Sequence, residues 1–169
     1  MMKYVEKKIT KELWPEIDTS DWVITGNMAK VKVLHKLLAL ISNGSGLSVL
    51  DIGCVGPQPL DFWEPLLVHH GSRFHLSGID VHGIELAREV AGKRGWASGL
   101  TLREGSCYNL ADLFTPQSFD IIVATQVLEH VARIRRFMQQ VVVVLKPGGE
   151  AFLIRLIGSH ALIFAIRYG

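Results

Sequence analysis

Val49-Leu50-Asp51-Ile52-Gly53-Cys54-Val55-Gly56 decides how this chain is read: a short apolar run closes on an acid, and glycines follow at once. A compact apolar run suits a parallel strand buried on both faces. The glycines suit a turn whose backbone bends sharply and comes close to a ligand that a Cβ would obstruct. Together they are the grammar of a strand feeding a nucleotide-type cofactor loop. Asp51 then separates two kinds of cofactor. A dinucleotide pyrophosphate seated on helix N–H groups gains nothing from a preceding carboxylate. A cofactor with a cationic amino-acid end gains a counter-charge.

Working outward, short apolar runs alternate with longer segments of helical period. The pattern predicts strands near 47–52, 74–79, 100–104, 119–124 and 150–157. It predicts helices near 60–69, 83–94 and 130–145, with a weaker one near 108–114. Strand and helix in alternation argue for an α/β fold, a doubly wound and mainly parallel Rossmann-like sheet covered on both faces. Residues 1–46 read as an N-terminal helical cap, with Val31, Leu34, Leu38 and Ile41 on one helical face. Asn43-Gly44-Ser45-Gly46 supplies the turn that ends it. Residues 47–169 form the core. Trp14 and Trp22 in the cap either roof an acceptor pocket or anchor the cap to that core.

The 169 residues, 49% hydrophobic and 20% charged, suffice for one domain with its own core. A formal net charge of +2 gives no electrostatic footprint for nucleic acid or an anionic membrane. Met1-Met2-Lys3-Tyr4-Val5-Glu6-Lys7-Lys8 has no apolar core of the secretion-signal type. No run of about 18 uncharged apolar residues offers a membrane span. Cys54 and Cys107 provide neither zinc spacing nor a disulfide framework. The expectation is a soluble cytoplasmic protein, with no nucleic-acid partner and no stable membrane insertion.

The strand-then-acid pattern recurs at Leu76-Ser77-Gly78-Ile79-Asp80. A carboxylate there can accept hydrogen bonds from both hydroxyls of a ribose, or it can cap the helix that follows. Two further segments stand in order: Ser118-Phe119-Asp120-Ile121-Ile122-Val123-Ala124-Thr125-Gln126-Val127-Leu128-Glu129-His130-Val131, and Val144-Leu145-Lys146-Pro147-Gly148-Gly149. With these four segments, residues 47–157 resemble the class I S-adenosyl-L-methionine (SAM)-dependent methyltransferases, in the small-molecule branch with a "LEHV" and "LKPGG" pair. The resemblance implies SAM as cofactor and methyl transfer to an O, N or C nucleophile of a small-molecule or glycan-like acceptor. It implies that the first loop, Asp51, Gly53, Cys54 and Gly56, lines the methionine end of SAM, that Asp80 holds the ribose hydroxyls, and that Val81 beside it also lines the cofactor. Ser106 and Cys107 follow Gly105, where the family usually places an acid for the adenine amino group. Gln126 matches a position facing the sulfonium and the acceptor. Glu129 and His130 match the "EH" that opens the next helix, and His130 is the candidate general base. In-line displacement at a sulfonium carbon rests mostly on proximity and alignment.

The chain also departs from the family pattern. Two, four and six positions after the acid stand Gly53, Val55 and Pro57 rather than three glycines, and the second glycine has moved to Gly56. Pro57 removes an N–H from the loop. Ser106 replaces a charged acceptor with a hydroxyl. Gln126-x-x-Glu129-His130 is similar to a metal-binding Glu-x-x-Glu-His pattern but lacks its first carboxylate, so no metal is expected. His69, His70, His75 and His82 have no metal spacing. The two cysteines, on cofactor-side loops that would bring them near each other, read as small core fillers or else as a redox or thiol site. Arg133, Arg135 and Arg136 read as a solvated helix face, or else as a reception site for an acidic substrate. The tail after Gly149 is short, so a C-terminal truncation is expected. The closing antiparallel strands of the family would be missing and the fifth strand would keep an open edge. A homo-oligomer or a partner chain would cover that edge. Two rivals remain: a non-catalytic subunit of the same fold acting through a partner, and a nucleotide-dependent oxidoreductase. The second is weakened because no G-x-G-x-x-G follows the first strand.

Overall fold

The computed structural model describes residues 37, 39–40, 46–55, 60, 63–70, 72–157 and 160–168. Leu37, Ala39 and Leu40 are helical, and Leu37 is fully buried in the core. Residues 1–36, 38 and 41–45 of the expected N-terminal cap, including Trp14 and Trp22, lie outside the described residues, as does Gly56.

Among the described residues six strands form one sheet: β1 (Leu47–Ile52), β2 (Phe74–Asp80), β3 (Leu100–Glu104), β4 (Phe119–Thr125), β5 (Leu145–Ile157) and β6 (His160–Arg167). Their order is β3-β2-β1-β4-β5-β6, parallel through the first five, with β6 antiparallel to β5. Among the described residues the helices α1 (Glu64–His70), α2 (Ile84–Lys93), α3 (Leu110–Leu113) and α4 (Ile134–Val144) complete the alternation. The strand residues divide between two apolar layers, as a sheet buried on both faces requires. Leu47 and Val49 of β1 pack in one layer with Trp63 and Leu66 from the α1 region and Ala87 and Ala91 of α2. Leu50 and Ile52 pack in the other with Leu110 of α3 and Phe137, Val141 and Val144 of α4.

The expected strand positions hold for β1 to β4, while the helix starts shift for local reasons. Helix α1 begins at Glu64 rather than near 60 because Leu60 adopts a left-handed φ of 68° and accepts the Trp63 N–H at 2.8 Å. Helix α4 begins at Ile134 rather than 130 because Leu128–His130 close a turn, with the His130 N–H on the Val127 carbonyl at 2.9 Å. Glu129 and His130 therefore precede the helix instead of opening it.

β5 starts at Leu145, earlier than the expected 150, because Lys146-Pro147-Gly148-Gly149 form an irregularity inside the strand. The pairing jumps from Phe119↔Leu145 to Ile121↔Glu150. Gly149 is required there, since a Cβ would sit 2.9 Å from the carbonyl oxygens of Asp120 and Lys146. The Lys146 ammonium meets both Asp120 carboxylate oxygens at 2.9 Å, and Asp120 also accepts the Ser48 N–H at 2.9 Å. This motif is a structural corner at the amino-terminal end of the sheet, away from the loops that follow β1 and β2.

The expected open edge of β5 needs correction. Residues 160–167 supply one antiparallel strand that pairs along Glu150–Ile157, and Arg167 forms an ion pair with Glu150. An apolar edge leaves amides unpaired, and the short tail suffices to pair them. Among the described residues the sheet instead ends at β6, where Phe164 is 49% exposed. Among the described residues no helix is long and apolar enough to cross a membrane.

Candidate cofactor site

The strand order reverses between β1 and β4, which both pair with neighbours on opposite sides of the sheet. In an open parallel sheet the loops leaving the carboxyl ends of two such strands diverge and leave a crevice for ligand. Asp51, Gly53, Asp80 and Gln126 all stand at that rim. A groove of about 630 Å³ lined by Ser48, His75, Thr101 and Phe119 lies instead toward the amino-terminal halves of the strands. Chemistry, rather than cavity size, identifies the rim.

The first loop is tied down by its own backbone. Gly53 takes φ 77°, a conformation that side chains rarely adopt, and its N–H donates to the Ile79 carbonyl at 2.8 Å. A Cβ on Gly53 would fall 2.6 Å from Val127 Cγ2, so the loops after β1 and β4 are in close approach. Cys54 donates its N–H to the same Ile79 carbonyl and buries its side chain in the core. Burial pushes the Cys54 thiol far above its ordinary range, and the Asp51 and Asp80 carboxylates push it further. This keeps it a neutral filler rather than a nucleophile. Cys107 packs against the opposite apolar layer, and burial raises its thiol as well. The two cysteines are therefore divided by the sheet, not brought together, and both are free thiols.

Asp51 lies near the end of β1, and its Oδ2 accepts the Trp63 indole N–H at 2.6 Å. Asp80, at the end of β2, accepts the Val81 N–H on Oδ1 at 2.8 Å and the Val55 N–H on Oδ2 at 3.0 Å. Its carboxylate thus joins the loop after β1 to the loop after β2. The N-cap of α2 is Gly83, without a side-chain cap, so Asp80 does not serve that helix. A carboxylate offers about four acceptor sites and the two amides use two of them, which leaves capacity for ribose hydroxyls. Val81 is half exposed on this rim and offers an apolar surface beside Asp80.

The third loop continues from β3. Gly105 donates its N–H to the Asp80 carbonyl at 2.9 Å. Ser106 Oγ accepts the Tyr108 N–H at 3.3 Å, and its carbonyl accepts the Asn109 N–H at 3.0 Å. Tyr108 reaches across to α4, where its hydroxyl accepts the Arg133 N–H at 3.0 Å. The Arg136 guanidinium donates to Asn109 at 3.1 Å and lies 5.9 Å from the Tyr108 ring centre. Arg136 therefore fastens a loop, while Arg133 and Arg135 remain on the exposed surface.

Gln126 leaves β4 with φ 58°, held by its N–H on the Ile154 carbonyl at 2.8 Å, and its side chain is exposed at the rim. A left-handed non-glycine residue costs on the order of 1 kcal/mol and persists where its surroundings fix it. His130 is exposed in the following turn, and no described residue hydrogen-bonds its ring. Among the described residues no group of three or more His, Cys, Asp or Glu side chains is set to hold a metal ion.

Sequence reading missed Trp63, the Val55 amide, Val127 and Tyr108. Trp63 lies 12 positions from Asp51 on another element, and no spacing rule links the two.

A family model described as a methyltransferase domain matches residues 50–153. A ubiquinone biosynthesis O-methyltransferase of Chelativorans sp. is 34% identical over 110 residues, covering 64% of this chain and 40% of that protein. The chain thus spans about two-fifths of the length of the curated relatives it matches. Among solved structures, the DszA carbon methyltransferase superposes with a TM-score of 0.67 at 18% identity, covering 77% of this chain and 36% of the other. A SAM-dependent methyltransferase from Aquifex aeolicus gives 0.57 at 20% identity, covering 72% and 62%. These structural matches speak for the fold.

Proposed function

Because the chain belongs to the class I SAM-dependent methyltransferases, whose methyltransferase domain it matches over residues 50–153, we propose that it binds SAM at the carboxyl ends of β1, β2 and β4 and transfers the methyl group to a small-molecule or glycan-like acceptor. The observation that carries the reading is the Asp80 carboxylate, which knits the first two loops together through Val55 and Val81 while keeping acceptor capacity. A ribose donates two hydroxyls, and Asp80 is the group at the rim suited to receive both. The left-handed Gly53 lets backbone approach the methionine end, with Asp51 as counter-charge for its ammonium. The exposed Val81 supplies apolar contact for the adenine, and Ser106 supplies a hydroxyl in place of the usual acid. Gln126, fixed on the left-handed backbone, faces the reacting centre together with the acceptor.

SAM, when bound, supplies a methyl carbon already activated by a cationic sulfur. The residues of this chain have only to align acceptor and cofactor and to exclude water. The O-methyltransferase names of its curated relatives favour oxygen as the acceptor atom within the O, N or C range. A formal charge of +2 gives no reason to invoke a nucleic-acid acceptor. A cytoplasmic location belongs to the same reading, supported by two cysteines that are both free. If a partner or a second copy associates through the sheet, the edge in question is that of β6. Calorimetric titration of the purified chain with SAM and with S-adenosylhomocysteine tests the cofactor assignment. Micromolar binding of both is expected. Failure of folded protein to bind either would overturn the reading and favour a non-catalytic member of the family.

A further inference from the structure

We propose that Trp63 is a positioning residue that sets the Asp51 carboxylate for the cationic amino-acid end of the cofactor. This rests on the cofactor site proposed above. The indole N–H donates to Asp51 Oδ2 at 2.6 Å, a short bond to a carboxylate. Trp63 is only 1% exposed and stacks on Phe74 with ring centres 5.9 Å apart, inclined by 28°. Core packing therefore fixes the plane of the indole, and with it the direction in which the N–H points. The backbone of Asp51 is equally fixed, paired in register with Gly78 of β2 and Val123 of β4. What remains adjustable at Asp51 is its side-chain torsion, and the indole bond restrains that.

A buried aromatic of this size needs no polar atom to fill its place. Leucine or phenylalanine would bury as well, whereas an indole N–H must be satisfied. Its partner is an acid at the rim of the candidate site rather than a nearby carbonyl. A carboxylate held in advance loses less freedom when a cation arrives, so binding is stronger than to a mobile one. Trp63 acts through Asp51 and has no contact of its own with the ligand.

The test measures the affinity of wild type and of Trp63→Phe for two ligands. S-adenosylhomocysteine carries the amino-acid end; 5′-methylthioadenosine has the same nucleoside but no ammonium. Trp63→Phe is expected to weaken S-adenosylhomocysteine about fivefold and to leave methylthioadenosine within about twofold. Equal weakening of both ligands would mean a general loosening of the core and would overturn the proposal, as would no change in either. Phe74→Leu perturbs the same aromatic packing without removing the N–H, and the difference between the two ligands should remain as in wild type. In an Asp51→Ala background, Trp63→Phe should add less than about twofold, since the group it positions is gone. A full additional loss there would place the effect elsewhere and reject the assignment. Wild type that binds neither ligand would instead overturn the cofactor site itself, and the inference with it.

Discussion

Asp51 and Asp80 end neighbouring parallel strands with the same side chain, yet they are held by different means. Asp80 is fixed by backbone amides, one from the residue that follows it and one from Val55 on the adjoining loop. Asp51 is fixed by an indole that reaches it from the start of the α1 region. The first arrangement follows from main-chain geometry, because a strand end at the carboxyl rim always offers nearby N–H groups. The second depends on one particular side chain packed in the core. The place of both acids at strand ends is legible in sequence, whereas the side chain that grips Asp51 from another element is not.

The sharpest way to break the comparison is to remove the loop both acids serve. Gly53→Val places a β-branched residue at φ 77° with its Cβ against Val127. A cost of about 2–4 kcal/mol in folding stability is expected from strain and overpacking together, together with loss of SAM binding, read by urea denaturation and calorimetry. Unchanged stability would show that the loops after β1 and β4 are not in the close approach described.

Asp80→Ala comes next. It removes the acceptor assigned to the ribose along with the tie between two loops, and at least a tenfold loss of SAM affinity is expected, about 1.4 kcal/mol. Unchanged binding would refute the ribose assignment and leave Asp80 a purely structural tie.

Cys54 sharpens the comparison because its thiol feels both carboxylates in addition to its burial. All three disfavour the thiolate in the folded chain, so the folded pKa lies above the ordinary 9.0. The stability this contributes is complete below that ordinary value. As pH rises above it, the unfolded chain releases a proton that the folded chain keeps, and stability falls. The slope approaches ~1.4 kcal/mol per pH unit. In denaturation curves between pH 8 and 10, Cys54→Ala should flatten this alkaline decline, whatever its effect on stability at neutral pH. Equal slopes for variant and wild type would show that the thiol titrates normally and is not shielded as described.

The alternation of strands and helices along the chain and the places of Asp51, Gly53 and Asp80 were legible because each is imposed locally. Apolar runs long enough to be buried on both faces make parallel strands, and turn residues at their carboxyl ends make loops. The helix after the fourth strand starts later than its residue types suggest, because Leu128-Glu129-His130 carries helical residue types while a local turn onto the Val127 carbonyl takes the His130 amide, after Gln126 is held left-handed on Ile154. The Lys146-Pro147-Gly148-Gly149 motif was recognisable in sequence, yet its work is a strand irregularity clamped on Asp120, which only pairing could reveal. Likewise the tail after Ile157 has the composition of a strand, but its antiparallel placement on β5 depends on which edge the core leaves open.

The sequence by itself determined the α/β alternation, the family and the acids at two strand ends, because hydrophobic period and turn chemistry act between near neighbours. Only the tertiary structure decided that Trp63 grips Asp51, that Cys54 and Cys107 face opposite layers, that Tyr108 binds the start of α4 and that β6 pairs with the edge of β5. Those contacts join residues far apart in the chain, and their energies arise only once packing has brought the groups within reach.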